Sequence, residues 1–108
     1  MEQITIEEFF KADIRAAKVI EAEKIKDSKK LIKMQIDTGD EQRQIVAGIA
    51  EEYTAEELVG KTILVVVNLK PVKLMGEVSK GMLLAASING RPVLAEFNKE
   101  VPPGTKVK

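Results

Sequence analysis

The chain has 108 residues, which is enough for one small domain with one hydrophobic core and too few for two. It contains no cysteine and no histidine, so disulfides, thiolate metal sites and Ser-His-Asp or Cys-His catalysis are excluded, and we predict no catalytic residue, metal or cofactor. Lysine plus arginine equals aspartate plus glutamate at 17 each, a balance that by itself argues against nucleic-acid binding.

The charges are nevertheless unevenly distributed along the chain. Residues 24–33 carry five lysines and one aspartate, whereas residues 34–60 carry seven acids and only Arg43. A phosphate backbone responds to the local field rather than to net charge. We therefore expect a folded molecule with one basic side and one acidic side.

The sequence shows no signal for secretion or for membrane insertion. The first residues include neither a basic region nor a long apolar stretch, and the longest apolar run, residues 63–67, is far shorter than the roughly 20 residues that span a bilayer. We expect a soluble cytoplasmic protein without a membrane partner. The initial Met and the single complete domain favour an independent protein or a separate subunit.

A short helix is predicted to begin at Ile6, because Thr5 and Glu8 have the spacing of a capping box. This helix would deliver Phe9 and Phe10 to the core. We assign these two rings to plug one end of a barrel rather than to stack on bases.

Residues 13–25 are predicted to form a long first strand. Its alternation of apolar and polar residues slips between Ala17 and Ile20, which indicates a bulge in a strand that coils around a small barrel. Asp13 and Arg15, near the strand start, are interpreted as a structural ion pair.

The second strand alternates cleanly, with Ile32, Met34 and Ile36 on one face and Lys33 on the other. A turn at residues 38–40 leads to the third strand, residues 43–49. A second capping box, Thr54 with Glu57, predicts a helix over residues 53–60. Residues 62–69 are almost wholly apolar and form the predicted fourth strand.

Residues 68–86 form an unusual cationic connection that reads N-L-K-P-V-K-L-M-G-E-V-S-K-G-M-L-L-A-A. The connection contains three lysines but only one acid, Glu77. One proline and two glycines interrupt the regular hydrogen bonding of a β-ladder. We predict a loop between two buried strands, the second of which begins at Met82. After that strand, residues 82–88, Asn89 and Gly90 predict a two-residue hairpin turn to residues 91–97.

Five strands with a helix after the third predict an all-β fold, namely a five-stranded OB-fold barrel with short helices and a C-terminal β extension. We expect one domain over residues 1–108. Its parts are an N-terminal helix in residues 1–12, the barrel in residues 13–87 and an extension in residues 88–108.

The topology of such a barrel can bring the two lysine-bearing connections, residues 24–33 and 70–80, to one side. We hypothesise that they form a phosphate-binding surface for folded RNA, with lysines that position the RNA and carry little sequence information. Few aromatic side chains are available to stack bases, so recognition by shape fits better than single-strand binding. On sequence pattern alone, a solvated lysine-rich loop at Lys30 and Lys33 is an equal alternative.

Several separated strings carry a family resemblance: F-F-K-A-D-I-R-A-A-K-V, R-Q-I-V-A-G-I-A, Y-T-A-E-E-L-V-G-K, and N-L-K-P followed by S-x-G-M-L-L-A-A. Together they resemble the tRNA-binding domain found at the C-terminus of many methionyl-tRNA synthetases or as a separate beta subunit of such enzymes. The same resemblance includes free-standing structure-specific tRNA-binding proteins. The resemblance implies recognition of the L shape of tRNA by a homodimer whose C-terminal segments help to form the interface. It also implies a methionyl-tRNA synthetase catalytic chain as a further partner.

The resemblance and the charge pattern together give one set of expected tRNA-binding residues: Lys30, Lys33, Asn68, Lys70, Lys73, Ser79, Lys80 and Met82. Ser79 is expected to donate to a phosphate or a ribose hydroxyl. For Met82, direct contact and ordinary strand packing both remain open. The chain departs from the family pattern at Lys80, Met75 and Ala47. The departures at Met75 and Ala47 put in doubt the affinity for tRNA or the set of tRNA positions contacted. The alternative function, of another class, is a chaperone-like or protein-interaction module.

Overall fold

The computed structural model describes residues 1–108 and contains two short helices and nine strands. In chain order these elements are α1 (Ile6–Phe9), β1 (Ile14–Lys24), β2 (Ile32–Asp37), β3 (Gln42–Ala47), α2 (Ala55–Leu58), β4 (Thr62–Val66), β5 (Val72–Leu74), β6 (Glu77–Ser79), β7 (Met82–Leu83), β8 (Ala85–Ile88) and β9 (Arg91–Leu94).

The main sheet has five antiparallel strands in the order β3-β2-β1-β4-β7. It curls until its two edges approach, and the Lys80 amide donates a hydrogen bond of 2.8 Å to the Gln44 carbonyl just before β7 begins. This arrangement, with α2 between β3 and β4, is an OB-like fold and confirms the predicted fold class.

The core is aliphatic, as the low aromatic content requires. Ile32, Met34 and Ile36 are buried and alternate with half-buried polar residues along β2, as predicted. Leu58 of α2 is also fully buried and covers one end of the core. The register of β1 against β2 slips between Val19 and Glu21, so β1 has an irregularity next to the predicted position.

The prediction that Phe9 and Phe10 plug the barrel is wrong. Both side chains are about half exposed, at 46% and 50%, and α1 has no buried residue. The capping box at Thr5 and Glu8 is present, but it fixes only the local conformation of the helix. Where a helix sits on the barrel depends on tertiary contacts, and the aliphatic core is already filled without these rings.

The connection between β4 and β7 is more regular than the predicted loop. Its middle forms the antiparallel β5–β6 hairpin, which turns at Met75 and Gly76, both with positive φ, at 48° and 82°. The predicted strand over residues 82–88 is divided between β7 of the main sheet and β8 of a separate hairpin with β9. The predicted turn at Asn89 and Gly90 joins β8 to β9, and both of its residues have positive φ.

The C-terminal segment pairs with the first residues of β1. The Ala16 amide donates to the Thr105 carbonyl and the Val107 amide donates to the Ile14 carbonyl, each over 2.8 Å. Gly104 also lies against the turn after β2, where a Cβ on Gly39 would come within 2.8 Å of the Gly104 Cα. The segment therefore belongs to the fold of a single chain. No helix in this structure combines the length and apolar character needed to cross a bilayer.

Candidate nucleic-acid interface

Lys70, Lys73 and Lys80 lie on the β5–β6 hairpin and the residues that flank it. All three side chains are exposed, and none forms an ion pair. The hairpin projects from the edge of the curled sheet, where β6 runs beside β3. It therefore presents uncompensated positive charge to solvent.

Ser79 anchors the end of this hairpin to β3. Its hydroxyl accepts a hydrogen bond of 2.9 Å from the Val46 amide and donates one of 3.0 Å to the Gly81 carbonyl. The residue is only 5% exposed. In this structure the hydroxyl that was expected to donate to RNA is used within the protein, so its observed role is to shape the backbone before β7.

Gly81 completes the S-x-G string for a steric reason. Its φ of 149° lies in the region that favours glycine, and a Cβ at this position would be 3.0 Å from the Val66 carbonyl oxygen and 3.3 Å from Ile45. The close approach of two backbones at this point explains why the string contains glycine.

Asn68 holds the other end of the connection. Its Oδ1 accepts a hydrogen bond of 2.8 Å from the Asp13 amide, and its Nδ2 donates one of 2.6 Å to the Lys11 carbonyl. The side chain thereby joins the end of β4 to the segment before β1. Its amide group supports the site from within, although the residue itself is exposed.

Sequence reasoning assigned no role to Arg43, which ties both ends of the connection together. Its Nη1 donates to the Val67 carbonyl over 2.7 Å and to the Lys80 carbonyl over 3.1 Å, and its guanidinium also pairs with Glu41. The Nε atom is buried without a hydrogen-bond partner. The sequence gives no signal of these contacts, because the carbonyls of Val67 and Lys80 lie 24 and 37 residues after Arg43 in the chain.

The connection between β1 and β2 supplies the second group of cations. Its three lysines, and Lys24 at the end of β1, are exposed and form no ion pair; the three are Lys26, Lys29 and Lys30. The Ile25 amide donates to the Leu31 carbonyl over 3.0 Å, and Ser28 Oγ accepts from the Leu31 amide over 3.0 Å, so the connection is compact. Lys30 lines a polar cleft with Glu51 and Arg91.

Lys33 brings the two connections together. Its Nζ lies 3.0 Å from Glu23 Oε1 and 3.4 Å from Glu77 Oε2, so it joins the start of β2 to β6 of the hairpin. The carboxylate of Glu23, followed by that of Glu77, raises the pKa of Lys33 above its ordinary value. Unlike the other predicted lysines, Lys33 has its charge balanced within the protein.

Met82 begins β7, next to Gly81. It pairs with Val66 through the backbone, but its side chain is 52% exposed and lies outside the buried core. Its thioether is therefore accessible at the foot of the hairpin.

The predicted ion pair between Asp13 and Arg15 is confirmed and lies at the start of β1. The guanidinium donates to both carboxylate oxygens, with Nη2 to Oδ2 at 2.9 Å and Nε to Oδ1 at 3.1 Å. These hydrogen bonds lower the pKa of Asp13 below its ordinary value. No group of three or more carboxylates in the structure is arranged to hold a metal ion.

An OB-like barrel with two lysine-bearing connections joined at one edge defines a class of small β domains with a basic surface. The profile of the family described as "Putative tRNA binding domain" matches residues 14–106. The chain belongs to this family.

The similar proteins include much longer enzymes. The chain is 61% identical over 106 residues to a methionine–tRNA ligase of Archaeoglobus fulgidus and 59% identical over 104 residues to that of Thermotoga maritima. These matches span 98% and 96% of this chain but only 16% of each ligase.

Two similar solved structures match this chain over their whole length. A MetRS related protein from Pyrococcus horikoshii has 46% identity and a TM-score of 0.95, with 100% of both chains covered. The chaperone CsaA from Bacillus anthracis has 32% identity and a TM-score of 0.90, covering 99% of this chain and 100% of that one.

Proposed function

We propose that this chain is a structure-specific tRNA-binding domain that recognises the outline of a folded tRNA. The observation that carries the proposal is the contact between Lys33 and Glu77, which joins two connections that bear seven unpaired lysines. Asp27 is the one acid of these two connections that forms no ion pair. Such a surface can bind a phosphate backbone. The family to which the chain belongs favours tRNA as the nucleic acid that supplies this backbone.

The expected residues divide into two groups with different tasks. Lys30, Lys70, Lys73 and Lys80 have free ammonium groups and are proposed to contact phosphates, while the exposed Met82 is proposed to contact the RNA at the foot of the hairpin. Asn68, Ser79 and Lys33 have their polar atoms occupied by protein partners, so they are proposed to hold the connections in place.

We further propose that the domain acts as a homodimer and without catalysis of its own. Exposed apolar side chains support a second copy as the partner, since they occur on α1, at its C-cap and on one face of the β8–β9 hairpin: Ile6, Phe9, Phe10, Ile88 and Val93. The similarity to methionine–tRNA ligases supports a cytoplasmic role with such an enzyme, either fused to it or bound to it.

The test is tRNA binding by the variant Lys70→Ala/Lys73→Ala, measured by fluorescence anisotropy. Loss of two phosphate contacts should weaken binding roughly tenfold, or about 1.4 kcal/mol. The free energy of unfolding should stay within about 0.5 kcal/mol of the wild type, because both residues are exposed.

The matched control is Lys18→Ala/Lys99→Ala, which removes the same charge from exposed lysines outside both connections. It should bind tRNA almost as the wild type does. Equal losses in both variants would mean that net charge, rather than this surface, controls binding. A single-stranded RNA of equal length should bind the wild type more weakly than folded tRNA does.

A second candidate function is protein binding of the chaperone type. The likeness to two CsaA chaperones and the exposed apolar side chains favour it. Binding of an unfolded protein that survives both high salt and the loss of Lys70 and Lys73, together with no tRNA binding, would support this candidate.

A further inference from the structure

Glu77 is the single acid in the lysine-bearing hairpin, and both of its carboxylate oxygens have partners. Oε2 lies 3.4 Å from Lys33 Nζ on β2, and Oε1 accepts a hydrogen bond of 3.3 Å from Gln44 Nε2 on β3. One side chain of β6 therefore contacts two strands of the main sheet.

Gln44 extends this network in both directions. Its Nε2 also donates to the Val78 carbonyl over 2.9 Å, and its Oε1 accepts from Gln35 of β2 over 2.9 Å. Its own carbonyl accepts from the Lys80 amide over 2.8 Å. The hairpin is thus fixed to the outer face of β2 and β3 by a set of contacts at its foot, with Glu77 as the charged member.

We propose that Glu77 is a positioning residue for tRNA binding, whose carboxylate holds the lysine-bearing hairpin against β2 and β3. Held in this way, Lys70 and Lys73 keep a fixed placement relative to the lysines between β1 and β2. The inference rests on the proposed function, since it names how the same surface is organised. Its consequence is that an acidic residue promotes the binding of a polyanion.

Charge alone predicts the opposite sign. A carboxylate close to bound phosphates repels them, so neutralising it should raise affinity for tRNA. Positioning predicts that neutralising it lowers affinity, because a mobile hairpin must be ordered when tRNA binds. The direction of the change therefore separates the two explanations.

The variant that tests this is Glu77→Gln, which removes the ion pair with Lys33 while its amide oxygen can still accept from Gln44. We expect tRNA affinity to fall by about two- to fivefold, the size of an exposed ion pair. The matched control is Glu21→Gln, an exposed acid on the neighbouring β1 that forms no ion pair. It should leave affinity unchanged or raise it slightly.

A double variant distinguishes positioning from a sum of charges. If Lys33 acts through Glu77, then Lys33→Met, Glu77→Gln and the double variant should all lose affinity to a similar extent. If both residues act only through their charges, the single variants should shift affinity in opposite directions and the double variant should return to the wild-type value. The second pattern would overturn the inference.

Amide hydrogen exchange in the free protein gives a readout that needs no RNA. Exchange of the β5–β6 amides should be faster in Glu77→Gln than in the wild type, and unchanged in Glu21→Gln. Faster exchange in a protein that does not bind tRNA would refute the proposed function, and with it a role of Glu77 in tRNA binding, while confirming that Glu77 holds the hairpin against β2 and β3. Unchanged exchange, or a gain in tRNA affinity equal to that of the control, would refute the positioning role.

Discussion

The backbone amide of Val46 donates a hydrogen bond of 2.9 Å to the hydroxyl of Ser79, which lies 33 residues later in the chain. This bond attaches the end of the β5–β6 hairpin to β3 at a buried position. Replacing Ser79 by Ala would leave the Val46 amide without its partner. Because a buried donor then loses its hydrogen bond, we expect the free energy of unfolding to fall by about 1–3 kcal/mol.

Urea denaturation of Ser79→Ala measures this loss, with Ser87→Ala as the control. Ser87 is exposed on β8, and its replacement should change stability by less than about 0.5 kcal/mol. A fully stable Ser79→Ala that nonetheless fails to bind tRNA would contradict the anchoring role and restore Ser79 as a direct contact.

Gly81 should be intolerant of even one added methyl group. In Gly81→Ala the new Cβ would meet the Val66 carbonyl at a φ that disfavours alanine, so we expect a loss of more than about 1 kcal/mol in unfolding free energy. Gly48→Ala is the control, since no heavy atom lies within 4 Å of its Cβ position. Thermal unfolding of the two variants gives the comparison, and equal melting temperatures would show that β7 can move away from β4.

The contribution of the C-terminal segment to a dimer is best tested without deleting it. Removal of residues 101–108 would break the backbone hydrogen bonds to Ile14 and Ala16, each worth about 0.5–1.5 kcal/mol, and would destabilise the single chain. We instead predict that Ile88→Glu, on the exposed face of the β8–β9 hairpin, gives a folded monomer in sedimentation equilibrium. An unaltered mass would place the interface elsewhere.

The ion pair between Asp13 and Arg15 predicts a pH-dependent share of the stability. Because Arg15 lowers the pKa of Asp13 from its ordinary value of 3.8, the stabilisation is complete above that value and is lost as the pH falls through the lower folded-state pKa. Asp13→Asn should therefore cost a few tenths of a kcal/mol near neutral pH, since the pair is partly exposed. Urea denaturation of Asp13→Asn and the wild type across this pH range measures the difference, which should vanish in acid; a difference that persists there would contradict the ion-pair origin.

Local patterns in the sequence were sufficient where local physics decides the structure. The alternation of Ile32, Met34 and Ile36 placed β2 and its buried face, and the Asn89–Gly90 pair placed a hairpin turn, because period and turn geometry depend on neighbouring residues.

Sequence patterns gave wrong or incomplete predictions where the environment of a side chain depends on residues far away in the chain. Phe9 is exposed because no partner surface lies over α1, which its hydrophobicity alone does not reveal. Whether the hydroxyl of Ser79 is free depends on Val46, and Lys33 is paired both with Glu23 on the neighbouring strand and with Glu77, 44 residues away. Contacts of that separation leave no periodic or compositional signal.

The salt dependence of tRNA affinity tests most directly whether lysines on the two joined connections contact the phosphates of a folded tRNA. For the wild type, a plot of log association constant against log salt concentration should have a slope of about −0.7 to −0.9 for each phosphate contacted. In Lys70→Ala/Lys73→Ala the slope should be shallower by the amount expected for about two phosphate contacts. Affinity that does not change with salt, or an identical slope in the variant, would show that these lysines do not contact tRNA phosphates.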